Sequence, residues 1–262
     1  MYLKAIRQPA DGFFVFSHWL FVINFIVRFY ILDSSIILNP AIMINSSTIT
    51  FLRNIKKNNN KDWFDKNKER YLLAKDNVAA VIDSLLPKLC TFEKKFTGLT
   101  SKDCLFRIYR DVRFSKDKRP YKINIGAGIN IGGKKAMNAG YYLHIEPGKS
   151  FLAGGIWMPP GDVVKKIRQE IDYNGKKINK ILSQKDFKKY YGTLDEEYKL
   201  KTSPKGYDKN HPDIELLRHN SFIVWHKYTD KEITNKNFIK ELTKGSKIMK
   251  PFLDFLNAAI ND

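Results

Sequence analysis

The chain has 262 residues, 43% of them hydrophobic and 13% aromatic, which excludes a disordered polymer and is enough to bury one large core. Its net charge is +19, from 46 lysines and arginines against 27 acidic residues, so a polyanion is a conceivable partner. The excess is mostly lysine spread along an Asn- and Ile-rich chain, as compositional drift produces, so nucleic acid stands as the alternative partner rather than the first. Two cysteines, Cys90 and Cys104, in no metal or redox spacing, argue against a disulfide framework and for a reducing, cytoplasmic setting.

The N-terminus differs from the rest. Residues 13–32 form an apolar run of membrane-spanning length, broken by His18, Asn24 and Arg28. Arg28 alone costs about 2.5–3.5 kcal/mol near a bilayer centre. No clean small-residue cleavage site follows, which argues against a secreted signal peptide. Residues 1–42 therefore read as a hydrophobic extension. The favoured reading is that translation starts at Met43; the other is a membrane anchor, and only then is a membrane a partner. Removing residues 1–42 takes away Lys4, Arg7 and Arg28 with Asp11 and Asp33, so +19 becomes +18.

Further along, Ser46, Ser47 or Thr48 can cap a short helix carrying Ile49, Phe51, Leu52 and Ile55. Asn58-Asn59-Asn60 breaks it and caps the next. From Lys61 to Leu89, Phe64, Tyr71, Leu72, Val78, Ile82, Leu85 and Leu89 recur near helical spacing. This predicts a long amphipathic helix, straight or bent, ending around Pro87 and anchored in the core by Trp63 and Phe64. Strand-like alternation follows at 104–114, 122–131, 141–146, 151–158 and 222–228. Short connections such as Gly132-Gly133 and Pro147-Gly148 make an antiparallel meander the natural pairing. Pro159-Pro160-Gly161-Asp162 opens a helix with Val163, Val164, Ile167 and Ile171 on its apolar side, continued over 172–182, and 186–191 is a short helical piece. Residues 200–213 read as an irregular loop, and 237–260 as a last helix interrupted near Pro251. Nothing divides residues 43–262. The predicted fold class is α+β: an antiparallel sheet, a meander of about five strands, packed on one face by long helices in a single domain.

Only ten arginines stand against 36 lysines, and four of the ten fall within Arg107–Tyr121. Arginine offers a planar fork that grips carboxylate or phosphate in two places, so the run is either an anion site or a structural charge network. Period-2 geometry splits it. Arg110 shares a face with Phe106, Ile108 and Val112 and is expected to pair with a buried carboxylate. The other face collects Arg107, Asp111, Arg113, Lys122, Asn124, Tyr142, His144 and Glu146, with Gly126, Gly128, Gly154 and Gly155 leaving room above it. The candidate roles are Arg107 and Arg113 as anion clamps, Lys122 as a supporting cation, and His144 as general acid or base oriented by Asp111 or Glu146. Asn124 and Tyr142 complete the ligand-binding set. His144, His211, His219 and His226 show no tight ligand spacing, so no metal is expected, and no cofactor motif is present. Against nucleic acid, the only aromatics on the basic face are Tyr109 and Tyr142, fewer than a stacking platform wants.

The run Arg107-x-x-Arg-Asp-x-Arg-Phe-x-x-Asp-Lys-x-Pro-Tyr121 resembles the signature of a bacterial conserved-hypothetical family, domain of unknown function 2461. Asn59-Asn-Lys-Asp-Trp-Phe64, Gly140-Tyr-Tyr-Leu-His-Ile-Glu-Pro-Gly148, Ala153-Gly-Gly-Ile-Trp-Met-Pro159, Ile167-Arg-Gln-Glu-Ile171 and Lys205-Gly-Tyr-Asp with His211-Pro-Asp213 are similar to the same family. The resemblance runs from about Ile44 to Ala259 and implies no established activity. The expected function is binding of an anionic or phosphate-bearing small molecule on the Arg-rich sheet face, with catalysis left open. The alternatives are a non-enzymatic nucleic-acid-binding module and a membrane-anchored version of either.

Overall fold

The structure, a computed structural model, describes residues 42–261. The apolar run at 13–32 lies outside them, and among the described residues no helix is long and apolar enough to cross a membrane.

Helix α1 (Ser46–Lys57) buries Ile49, Phe51, Leu52 and Ile55. The stretch expected to be a long helix, straight or bent, breaks into two: α2 (Lys61–Lys66), whose N-cap Asn60 accepts from Trp63 N–H, and α3 (Lys68–Cys90). Asn67 separates them, with φ −116 and ψ 18. Its amide donates to the Trp63 carbonyl at 2.9 Å, a local bond that competes with helix continuation. Pro87 lies inside the last turn of α3 rather than ending it.

A short helix α4 (Ser101–Cys104) precedes the sheet. The sheet has four strands, β1 (Ile125–Ile129), β2 (Gly140–Ile145), β3 (Ser150–Ile156) and β4 (Phe222–Tyr228), in the order β1-β2-β3-β4 and antiparallel throughout. The meander is therefore as expected, with one strand fewer. The stretch 104–114 makes only isolated bridges, Leu105 to Ala127 and Tyr109 to Tyr121. Beyond β3 come α5 (Gly161–Ser183), kinked at Asn174, and α6 (Lys185–Tyr191). Then α7 (Ile214–Leu217) precedes β4, and α8 (Asp230–Ile233) and α9 (Phe238–Asn261) follow it.

Pro251 does not interrupt α9. A helix-interior proline costs about 3 kcal/mol. Met249, Phe252, Leu253, Phe255 and Leu256 around it are all buried. At roughly 1.5–3 kcal/mol per large apolar side chain, their burial outweighs the lost backbone bond.

Register sorts the sheet into two faces. Ala127, Leu143 and Leu152 oppose one another, as do Ile129, Tyr141, Gly154 and Val224, and these residues are buried beneath the helices. The other face carries the rows Gly126–His144–Phe151–Lys227 and Gly128–Tyr142–Ala153–Trp225.

Gly155 tests the sheet geometry. Its φ is +125, and a Cβ there would overlap the Phe222 carbonyl oxygen of the paired strand. Neither strain can be relieved by moving a side chain. Gly155→Ala should lower the unfolding free energy by about 3 kcal/mol or more, measured by urea denaturation; an unchanged midpoint would contradict the β3–β4 register.

Candidate functional site

The open sheet face forms the floor of a cleft of about 1060 Å³. Strand β2 sends Tyr142, His144 and then Glu146 to this one face, since alternate residues share a side. Glu146 is buried at the turn into β3. The Ser150 hydroxyl donates to the Glu146 carbonyl and accepts from its N–H, at 2.9 and 3.1 Å, and Gly148 N–H donates to Asp230 at 2.8 Å. Asp230 is itself held by Arg53 of α1 at 2.7 Å. The carboxylate is thus positioned by a braced turn.

His144 Nε2 lies 3.2 Å from Glu146 Oε2. With the proton on Nε2, Nδ1 is the acceptor, reached by the Tyr142 hydroxyl at 3.2 Å and the Asn124 amide at 3.3 Å. The imidazole stacks on Phe151, with centroids 4.6 Å apart and planes 8° apart. Only 15% of its side chain is exposed. Burial pushes the His144 pKa below 6.5, against the opposing pull of Glu146, so the ring is neutral at pH 7. Burial likewise pushes the Tyr142 phenol up. Both ring nitrogens are engaged, so the hydroxyl end of the chain Glu146–His144–Tyr142 is where a proton can be exchanged.

Lys122 lines the same cleft, with its ammonium 5.4 Å from the centre of the Phe106 ring. Burial and the nearby Arg107 charge lower its pKa. Among the described residues no carboxylate lies within 4 Å of it. Arg107 is exposed, close enough in charge to act on both Lys122 and Asp111.

The other expected site residues lie elsewhere. Asp111 is exposed and held by Arg113, which donates to it from Nε and Nη2 at 3.0 and 2.7 Å, so it does not orient His144. Arg113 has its fork filled by that carboxylate and is not a free clamp. Arg110 meets a carboxylate, as expected, but Asp117 is half-buried rather than buried, and Arg110 lies 2.8 Å from it. Arg119 grips the same Asp117 at 2.7 Å and, as the larger influence, holds its pKa well below the usual carboxylate range. Three of the four arginines are thus internal ties of the loop. The loop is docked by Asn59, which brackets the Tyr121 backbone with bonds of 2.9 and 3.0 Å, and by Phe64, stacked on Tyr121 at 4.0 Å.

The glycines expected to leave room for a ligand serve their neighbours instead. Gly126 makes room for the Tyr142 hydroxyl, Gly128 for the Phe106 ring, and Gly154 faces the helices at Met249. Phe106, expected on the apolar face, lines the cleft. Phe151, Trp157, Trp225 and Lys227 line it too and were missed. Carrying the alternation of β2 on into β3 and β4 would have found three of these. Trp157 depends on a corner at Met158, whose φ of +46 no local pattern announces. Trp225 Nε1 donates to Asp195 at 3.0 Å, fixing its ring. Among the described residues, no three His, Cys, Asp or Glu side chains are placed to hold a metal ion.

An open antiparallel sheet face that carries a Tyr–His–Glu chain, with a lysine that has no carboxylate within 4 Å among the described residues, marks the candidate site of this α+β domain. The family described as Conserved hypothetical protein (DUF2461) matches residues 47–255, and the chain belongs to it. Comparison with curated proteins and with solved structures gives no match.

The lowered His144 pKa has a stability consequence. The unfolded chain takes up this proton near pH 6.5 and the folded chain only below it, so stability is highest above 6.5 and falls as the pH drops through that window. Buried His219, also shifted down by desolvation, adds in the same direction. NMR titration should place His144 below 6.5, and Glu146→Gln should move it lower still, since the carboxylate opposes the shift. A midpoint at or above 6.5 would contradict this geometry.

Proposed function

We propose that the domain binds an anionic, phosphate-bearing small molecule in the cleft on the open sheet face. The observation that carries this reading is Lys122, a half-buried cation in the cleft wall with no carboxylate beside it among the described residues. Proteins keep desolvated charges paired, because an unpaired one costs far more than an exposed one. A cation left facing a cleft is satisfied by an anion that arrives from solution. Lys149 and Lys227 line the same space, against Asp195 and Glu197, so the balance is positive. Asp195 is further committed to Trp225. Exposed Arg107, close enough in charge to act on Lys122, adds a further cation near it.

The same cleft offers acid–base chemistry to whatever binds. Neutral His144 can take the Tyr142 proton at Nδ1 as its Nε2 proton moves to Glu146, which leaves Tyr142 a phenolate able to accept a proton from a ligand. Arg107 and Lys122 hold the anion, Asn124 and Tyr142 set its orientation, and His144 with Glu146 moves the proton.

Lys122→Met separates this reading from a structural one. The methionine keeps the contact with Phe106 and removes the charge. Its melting temperature should equal or exceed that of the parent, while its affinity for inorganic phosphate, read as thermal stabilisation, falls at least tenfold. Unchanged phosphate affinity, or a collapse of stability, would contradict the proposal.

A further inference from the structure

We infer that the anion held in this cleft carries a flat ring next to its charge, and that the site is built for a nucleotide unit, either free or within a single strand. The inference rests on the anion reading above and adds what surrounds the charge. Four rings cross the open face in sequence: Phe106 over β1, Tyr142 on β2, Phe151 on β3 and Trp225 on β4. Their successive centroid separations are 6.2, 5.9 and 6.3 Å. The band therefore spans the width of the sheet, and all four rings line the cleft.

A cation sits on each end of the band. Lys122 lies 5.4 Å from the centre of the Phe106 ring and Lys227 4.6 Å from that of Trp225. Exposed cation–π contacts are weak. An incoming flat ring can displace an ammonium from its ring face and stack there, leaving the ammonium free for the phosphate joined to that ring. One ligand thus satisfies both halves of the site. Bare phosphate would leave the rings bare, and an uncharged ring would leave Lys122 unpaired. Stacking on aromatic side chains tolerates any base, because every base has a π-face.

This geometry also changes the standing of a strand as partner. The sheet face carries three aromatic strand residues and one from the preceding loop, more than the sequence pattern suggested, and the chain's +19 charge favours a polyphosphate. A free nucleotide and a nucleotide in a single strand present the same ring and phosphate, so the experiment must tell them apart.

Four probes suffice, with binding followed by tryptophan fluorescence and calorimetry: inorganic phosphate, hexyl phosphate, AMP and a single-stranded oligothymidylate. AMP should bind at least tenfold tighter than inorganic phosphate or hexyl phosphate. Phe106→Ala, at a loop side chain 37% exposed, should narrow that margin without loss of fold, checked by thermal melting. An oligothymidylate that binds tighter than AMP, with affinity falling steeply with salt, identifies a single strand as the source; one that binds no better identifies the free nucleotide. If phosphate or hexyl phosphate matches AMP, the ring is irrelevant and this inference falls, while the anion reading stands. If none of the four binds, the anion reading falls with it.

Discussion

Helix α9 lies so close to strand β3 that a Cβ on Gly154 would overlap Met249 Sδ, and one on Gly245 would come 3.0 Å from Leu152. The Tyr141 hydroxyl, from the next strand, donates to the Ser246 carbonyl of the same helix at 3.0 Å. This seating commits one face of the sheet to the helices and lets α3 and α5 pack on α9. With the apolar burden carried there, the opposite face need not be covered. It is free to hold charged and aromatic side chains, as an antiparallel sheet permits and a fully sandwiched sheet does not.

On that free face, aromatic rings do for polar groups what a core does elsewhere. Phe151 stacks on His144, and Tyr142 lies across Gly126, so the imidazole loses water without losing hydrogen bonds. The consequence is a neutral histidine beside a carboxylate, although proximity to Glu146 alone would favour the charged ring. Desolvation wins because both groups are withdrawn from water together. Lys122 is subject to the same desolvation, and among the described residues no carboxylate lies within 4 Å to offset it. The face thus contains a satisfied polar chain and, among the described residues, a half-buried cation with no carboxylate beside it, which is why the ligand proposed there is an anion.

Most of the framework was legible in the residues. Period-2 alternation placed Tyr142, His144 and Glu146 on one side of β2, and the turn residues Pro147 and Gly148 predicted the antiparallel return. The failures share a physical origin: charges and prolines were read locally when tertiary contacts decided their roles. Pro251 stays helical because buried neighbours hold the turn around it. The Arg107–Tyr121 alternation looked like a strand, yet Asp111 and Asp117 sit at spacings that let them close on Arg113, Arg110 and Arg119, and the segment folds as a self-tied loop. The glycines of β1 looked like space for a ligand, while the rings that fill that space come from positions distant in sequence. The aromatic band needs the register of four strands at once, and no single-strand pattern contains it.

The claim that binding takes place on the open sheet face is tested most directly by the tryptophan indole N–H signals in a two-dimensional NMR titration with AMP. Trp225 lies in the floor of the cleft, whereas Trp63 belongs to α2 and packs against the helical core. The account predicts a saturable shift of the Trp225 signal with the Trp63 signal unmoved. A Trp225 signal that stays fixed at saturating AMP, or a shift confined to Trp63, would contradict it.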